Sequence, residues 1–267
     1  MVRKPAVAGR FYPGNRSRLE AEVRSYFDEG TPRVKSIGVV SPHAGYVYSG
    51  KVAGRVFSRV EVPRRVVVMG PNHRGVGGRI ALMSEGAWET PLGDVSLDGE
   101  LAAKLTTVLD IATEDSRAHT LEHSLEVQLP FLQAVRTDIL LLPIALGGLN
   151  LELCLALGDA LAEVIDDVGE DVLMVASSDM THYEPDKDAR AKDREVIDQM
   201  LALDPEGVFR TVKEKGITMC GVIPVTAMLR AAQTLGAAHA ELVDYMTSGD
   251  TSGDYSSVVG YAGLIVR

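Results

Sequence analysis

Residues 65–75, RVVVMGPNHRG, place an unbroken apolar run directly before a loop that carries a histidine. A β-strand that is covered on both faces has no polar face to show in its sequence. The run Arg65–Met69 therefore predicts a buried strand of a parallel sheet. The loop after it, Gly70–Gly75, contains His73. The same arrangement recurs along the chain, and this recurrence decides the fold class.

Three further apolar runs have the same character, namely Ser36–Val40, Asp138–Ile144 and Asp171–Ala176. Amphipathic segments alternate with the runs, and helices are predicted at Ser17–Phe27, Gly50–Val60, Asp98–Leu109, Ser124–Val135, Leu151–Val168, Ala189–Ala202, Pro205–Lys215 and Gly221–Leu235. Pro130 is expected to kink the helix that contains it or to delay the start of that helix. Strands that alternate with helices predict an α/β fold with parallel strand pairing.

The C-terminal part of the chain follows a different pattern. Two β-like runs, Ala240–Met246 and Ser257–Val266, are joined by a turn-rich segment with two Ser-Gly-Asp steps. This pattern predicts a hairpin or paired antiparallel edge strands. The complete prediction is one α/β domain over residues 1–267, with a mostly parallel central sheet flanked by helices and with antiparallel C-terminal strands.

Composition excludes several functional classes. The 267 residues are 46% hydrophobic, which is enough for a large core, and the net charge is −10. An acidic chain without a basic run is not expected to bind nucleic acid or anionic membranes. Two cysteines, an N-terminal apolar stretch too short for a secretory signal, and no run of about 18 apolar residues predict a cytoplasmic protein without a membrane span.

Three predicted strands each deliver a histidine just past the carboxyl end: His43, His73 and His182. In open α/β sheets, ligands bind at that edge, so we predict that the three histidines share one pocket. Asp179 precedes His182 by three residues and is expected to orient its imidazole as a general base. The alternative for Asp179 is a cap on the helix that follows.

Cys220 directly precedes a long apolar helix, whose dipole would favour the thiolate of a metal ligand or nucleophile. The alternative is a small buried side chain. His119 and His123 have helical spacing, but Thr120 occupies the position where a zincin has glutamate. We expect His119 at the surface and His123 in the pocket wall, with Tyr48 as a further wall residue or hydrogen-bond donor.

With these residues in place, the chain resembles the Memo family over nearly its whole length. The motifs that carry the resemblance are Gly9–Pro13, Pro42–Tyr46, Gly70–His73, Glu122–Pro130, Ser177–Tyr183 and Met219–Gly221. The family is similar in fold to the class III extradiol dioxygenases, which are non-haem iron enzymes. The resemblance implies that His43, His73 and Cys220 are metal ligands, and that Asp179 and His182 are the other pocket residues.

Two imidazoles and a thiolate suit iron or copper, and also zinc. The first functional hypothesis is therefore a metal-dependent redox protein, dioxygenase-like, in which His182 with Asp179 acts as acid and base while Tyr48 and His123 position the substrate. The second is a copper- or iron-binding protein without turnover, or one that binds a peptide or small ligand in the same pocket. The substrate, the physiological partner and the oligomeric state stay open.

A third hypothesis needs no metal. Cys220 would act as a nucleophile with His182 and Asp179 in a triad-like hydrolase. This arrangement leaves His43 and His73 without a role, which favours the metal hypotheses.

Overall fold

A computed structural model describes residues 1–267. The strands are β1 (Val2–Arg3), β2 (Gly38–Ser41), β3 (Arg65–Pro71), β4 (Ile80–Leu82), β5 (Ala87–Thr90), β6 (Gly93–Leu97), β7 (Ala112–Glu114), β8 (Leu140–Leu146), β9 (Val172–Ser177), β10 (His182–Glu184), β11 (Ala240–Thr247) and β12 (Val258–Val266). The α-helices are α1 (Arg16–Ser25), α2 (Tyr46–Ser58), α3 (Gly99–Val108), α4 (Leu129–Val135), α5 (Leu151–Val168), α6 (Asp186–Leu201), α7 (Pro205–Glu214), α8 (Val222–Thr234) and α9 (Gly249–Ser252).

The centre of the sheet consists of the four strands predicted from apolar runs. They lie in the order β8-β3-β9-β2 and are all parallel. In β3, Val66 and Val68 belong to the apolar core on one face, while Val67 and Met69 belong to the core on the other face. Burial on both faces explains why the sequence of this strand shows no polar alternation.

The C-terminal strands pair as predicted. β11 and β12 form an antiparallel hairpin, and β12 also runs antiparallel to β2 at the edge of the parallel core. The fold is thus a single-domain α/β architecture with a large, mostly parallel mixed sheet between helices. No helix of the protein combines the length and the apolar character that a membrane crossing needs.

Two parts of the sequence prediction were wrong in detail. The segment Ser124–Val135 is not one helix, because a 3-10 turn at Glu126–Gln128 precedes α4, whose first turn contains Pro130. Of the two effects expected of Pro130, the delayed helix start is the one observed. Proline fits the first turn of a helix, where its missing N–H has no partner to lose. The sequence prediction also missed six short strands, β1, β4 to β7 and β10, which are only two to five residues long.

The sheet brings the candidate residues to one edge. β2, β3 and β9 end at Ser41, Pro71 and Ser177, and because these strands are parallel their carboxyl ends lie side by side. The loops that leave this edge carry His43, His73 and Asp179. The topology therefore assembles residues from distant parts of the sequence in one place.

Candidate metal centre

Three histidines converge at the carboxyl edge of the sheet: His43, His73 and His123. One ligating nitrogen from each ring lies within 4.8 Å of the other two. The ring centroids are 4.7 Å apart for His73 and His123, 5.2 Å for His43 and His73, and 5.6 Å for His43 and His123. Two of these rings come from the predicted metal set, and the third is the residue predicted to line the pocket wall.

A buried hydroxyl fixes the tautomer of His43. Ser177 Oγ donates to the carbonyl oxygen of Ser124 at 2.7 Å and accepts from Gln128 Nε2 at 2.8 Å. Since that donation uses the only hydroxyl proton, His43 Nδ1, at 2.9 Å, must donate to Ser177 Oγ. His43 Nε2 therefore keeps its lone pair for the site. This assignment follows from the hydrogen-bond network.

A buried carboxylate fixes His73 in the same way. Glu122 is fully buried, and its Oε1 lies 2.9 Å from His73 Nδ1, while its Oε2 accepts the backbone N–H of His73 at 2.7 Å. Oε1 also accepts the backbone N–H groups of His123 and Ser124, each at 2.9 Å. A metal-ligating imidazole is usually supported by a carboxylate that accepts its outer ring N–H, because this hydrogen bond leaves the lone pair of Nε2 free to bind the metal.

The electrostatics favour neutral rings at His43 and His123 and an ionised carboxylate at Glu122. Burial would raise the pKa of Glu122, but the hydrogen bond from His73 and the other donors outweigh burial and lower the pKa to about 2. Burial, with the neighbouring imidazoles, lowers the pKa of His43 well below its usual value, and burial also lowers the pKa of His123. Neutral imidazoles can bind a metal without first losing a proton.

Cys220 lies beside His43, with its Sγ 3.2 Å from His43 Nε2. The sulfur also accepts the backbone N–H of Asp179 at 3.3 Å. Contrary to the dipole argument, burial and the nearby Asp179 charge raise the pKa of the Cys220 thiol, so the sulfur is protonated in the metal-free protein. The helix dipole is a smaller effect than burial at this position. The thiol thus borders the site at His43 but does not belong to the group of three imidazoles whose ligating atoms lie within 4.8 Å of one another.

Asp179 is almost fully buried, and its carboxylate points to a different partner from the one predicted. Oδ1 accepts the backbone N–H of His43 at 2.7 Å and so anchors the loop that carries this histidine. Burial raises the pKa of Asp179. Neither the expected hydrogen bond to the His182 ring nor the alternative helix cap is formed, because the chain between Asp179 and His182 turns into β10.

Thr218 orients His182 instead. The backbone N–H of His182 donates to Thr218 Oγ1 at 2.7 Å, and the ring Nδ1 lies 3.0 Å from the Thr218 carbonyl oxygen. Because a carbonyl can only accept, Nδ1 carries a proton, so in the neutral tautomer the lone pair is on Nε2. The next residue, Tyr183, is 78% exposed and has a φ of 60°, a left-handed conformation that is unfavourable for an aromatic residue.

Tyr48 lies in the first turn of α2 and is 39% exposed. It is near Tyr261, a buried residue of β12. Burial first, and then the Asp179 and Tyr48 charges, raise the pKa of Tyr261. Its partial exposure in the first turn of α2 leaves the Tyr48 side chain accessible to a bound molecule.

The prediction for His119 was wrong. This residue is completely buried, its Nε2 lies 3.0 Å from the carbonyl oxygen of Ala81, and its ring packs edge-on against Trp88. The surface position was expected because Thr120 stands where a zincin has glutamate, but the contact with Ala81 of the short strand β4 buries His119. His119 therefore belongs to the packing beneath the site.

Several residues that support the site were not singled out from the sequence. They are Glu122, Ser177, Gln128 and Thr218. Glu122 had a local signal, since a carboxylate directly before His123 is a common partner of metal-binding imidazoles. Ser177 and Gln128 had no such signal, because their role depends on contacts between segments 49 and 134 residues apart.

The arrangement of residues does not fit the thiol-hydrolase hypothesis. Its triad requires the Cys220 sulfur next to His182, with Asp179 behind the ring. The sulfur instead contacts His43, and the outer nitrogen of His182 bonds to Thr218. The protonated thiol also lacks the lowered pKa that an activated cysteine nucleophile needs.

The Glu122 carboxylate should make the fold sensitive to acid. Its pKa falls from 4.5 to about 2 on folding, so its stabilisation is complete above pH 4.5 and is lost as the pH drops through 2. The expected contribution is about 3 kcal/mol. Urea unfolding of the wild type and of Glu122→Gln at pH 5 and pH 2 measures it. The gap between the two proteins should narrow at pH 2, and an unchanged gap would contradict the assignment.

Fold and site together define a single-domain α/β protein with a histidine-rich pocket at the carboxyl edge of its sheet. The model of the Memo-like protein family matches residues 3–265. A MEMO1 family protein of Aquifex aeolicus is 45% identical over 267 residues, covering 99% of this chain and 98% of that protein. One from Methanopyrus kandleri is 41% identical over 283 residues, covering 100% and 99%. The chain belongs to the Memo family.

A solved structure agrees with the fold. The crystal structure of an uncharacterized protein from Escherichia coli K12 superimposes with a TM-score of 0.60 at 15% sequence identity, covering 85% of this chain and 98% of that one. At this level of identity the likeness concerns the fold alone. The architecture predicted from the apolar runs is confirmed by this match as well as by the strand order.

Proposed function

We propose that this Memo-family protein binds one redox-active metal ion, iron or copper, and uses it in the oxidation of a small-molecule substrate. The observation that carries the proposal is the convergence of three imidazoles at the sheet edge, with the tautomers of His43 and His73 set by Ser177 and Glu122. A histidine that is oriented in this way serves as a metal ligand more readily than one that is free to rotate.

The donor set fits a metal. Imidazole nitrogens suit iron, copper and zinc, and they bind at about 2.0 to 2.1 Å. Two nitrogens on one ion are then about 3.3 Å apart, so the ligating nitrogens, which now lie within 4.8 Å of one another, must approach by at most about 1.5 Å. In this proposal His43, His73 and His123 hold the ion, and Cys220 adds a thiolate on the His43 side when it loses its proton.

When bound, the metal supplies redox chemistry and polarises an oxygen atom of the substrate. The chain's own groups supply the rest. His182 accepts a proton at Nε2, because Thr218 keeps the proton on Nδ1. Asp179 holds the His43 loop in place through its backbone N–H. Tyr48 offers a hydroxyl to the substrate.

Replacing His182 separates metal binding from turnover. We expect His182→Gln to keep its metal content and to lose at least about 100-fold in rate, since a positioned acid or base contributes about 10² to 10⁴. The measurement is oxygen uptake with a panel of monocyclic phenols and catechols, alongside metal analysis. His239→Gln, at an exposed histidine before β11, is the matched control. Loss of metal in His182→Gln, or an unchanged rate, would argue against the role of His182.

Binding without turnover is the second candidate function. The exposed aromatic side chains Tyr48 and Tyr183 favour it, because exposed apolar groups beside a pocket commonly contact a ligand or peptide. The oxygen-uptake measurement described for His182→Gln also distinguishes the two functions. Full metal occupancy without oxygen uptake for any compound of the panel supports a metal- or ligand-binding protein.

A further inference from the structure

Arg3 is a buried cation that lies next to the candidate metal centre without touching it. Its relative exposure is 6%, and its guanidinium lies over the Trp88 ring at 4.2 Å. Its Nε donates to the carbonyl oxygen of His119 at 2.9 Å, and one terminal nitrogen donates to the carbonyl oxygen of Glu122 at 2.7 Å. The other terminal nitrogen pairs with the buried carboxylate of Glu126.

These contacts clamp both ends of one short loop. The loop 119–122 directly precedes His123, and its last residue is the glutamate that orients His73. Glu122 is therefore held twice, through its backbone carbonyl by Arg3 and through its carboxylate by the donors of the site. A shift of this loop would move the carboxylate that sets His73 and the backbone that carries His123.

Glu126 extends the same network to the rest of the N-terminal segment. Its carboxylate accepts the backbone N–H groups of Ala6 and Val7 and the hydroxyl of Tyr12, at 2.7, 3.0 and 2.7 Å. Phe11 lies in this segment and packs edge-on against His123, with ring centroids 4.8 Å apart. The N-terminal segment thus contacts the site at two independent places.

We infer that Arg3 is a positioning residue of the metal centre, which sets the geometry of His73 and His123 through the loop 119–122. The inference rests on the proposed metal binding. A planar guanidinium donates to two carbonyls and a carboxylate from one rigid fork, and a lysine ammonium cannot reproduce that geometry. Burial of an ion pair costs free energy unless all its polar groups form hydrogen bonds. Here the remaining N–H groups of the Arg3 guanidinium donate to the two loop carbonyls.

The competing explanation is that Arg3 only stabilises the fold. Arg65 provides the matched comparison, because it is also 6% exposed and forms a buried pair with Asp98. It stands at the first residue of β3, whereas His73 follows the last residue of that strand, about 20 Å along it. Arg65→Met therefore removes a comparable buried ion pair far from the site.

The test is cobalt(II) affinity, measured by competition with a chelating dye, in the wild type, Arg3→Met, Arg3→Lys and Arg65→Met. Unfolding of the metal-free proteins is followed in parallel. We expect both Arg3 variants to bind cobalt about tenfold or more weakly, as for changes in the outer shell of a metal site. Arg65→Met should lose stability and keep its affinity.

If the wild type binds cobalt and the Arg3 variants bind it as tightly as Arg65→Met does, the inference about Arg3 is overturned while the proposed metal binding stands. If the wild type binds no cobalt, the proposed function fails and the inference fails with it. Should Arg3→Met not fold, Arg3→Lys decides the matter by the same comparison with Arg65→Met.

Discussion

Replacing Glu122 with glutamine should weaken metal binding by about 10- to 100-fold, the usual effect of removing the carboxylate behind a ligating histidine. The carboxylate accepts four N–H groups, from the ring and backbone of His73 and from the backbones of His123 and Ser124. An amide offers one oxygen and turns an NH₂ group toward at least one of these donors. His73 then loses a partner that fixes its orientation.

The same substitution should reduce the free energy of unfolding of the metal-free protein by roughly 3 kcal/mol at neutral pH, because buried donors lose a charged acceptor. Isothermal titration with zinc measures the affinity, and urea unfolding measures the stability. Asp98→Asn is the control, since Asp98 is also a buried carboxylate but pairs with Arg65 at the other end of β3. Equal zinc affinity in Glu122→Gln and Asp98→Asn would contradict the role of Glu122.

Gly221→Ala should disturb both the fold and the thiol. A Cβ at this position would lie 2.3 Å from Ser178 Cβ and 2.5 Å from the carbonyl oxygen of Ser177. Backbone atoms cannot move away as a flexible side chain can, so the segment with Cys220 must shift from the end of β9. Overpacking of this kind costs about 1 to 3 kcal/mol and occasionally more.

The shift should also separate the Cys220 sulfur from His43 Nε2, which are now 3.2 Å apart. We expect the sulfur-to-metal charge-transfer absorption of the cobalt(II) form to weaken strongly in Gly221→Ala. Gly236→Ala, at an open position with positive φ after α8, is a control for strain away from the site. Full charge-transfer intensity in Gly221→Ala would contradict the claim that Gly221 positions the sulfur, and absence of this band from the wild type would contradict the claim that Cys220 is a donor.

Much of the fold could be predicted because its central strands are buried on both faces. In Arg65–Met69, every residue after Arg65 is apolar because both faces of the strand are buried, and such a continuous run is easily recognised. The observed strand β3 indeed begins at Arg65. The strands β1, β4 to β7 and β10 were missed because each is at most five residues long, which is too short for a period to be recognised. Local pattern alone does not distinguish such segments from loops.

The location of the site could be predicted more easily than the contacts within it. The rule that ligands bind at the carboxyl edge of parallel strands placed His43 and His73 together without any structure. Which atom faces which partner depends on packing between distant segments. Asp179 and His182 are neighbours in sequence, yet Asp179 bonds to the His43 loop and His182 to Thr218, 36 residues further on. Sequence proximity was therefore a poor guide to orientation.

The most direct test of the central claim is the metal content of the protein after anaerobic purification, measured by mass spectrometry. The wild type is compared with a His43→Ala, His73→Ala double variant and with His239→Ala as control. The account predicts near-stoichiometric iron or copper in the wild type and the control, and its loss in the double variant. Equal and negligible metal in all three proteins, even after incubation with iron(II) or copper, would contradict the account.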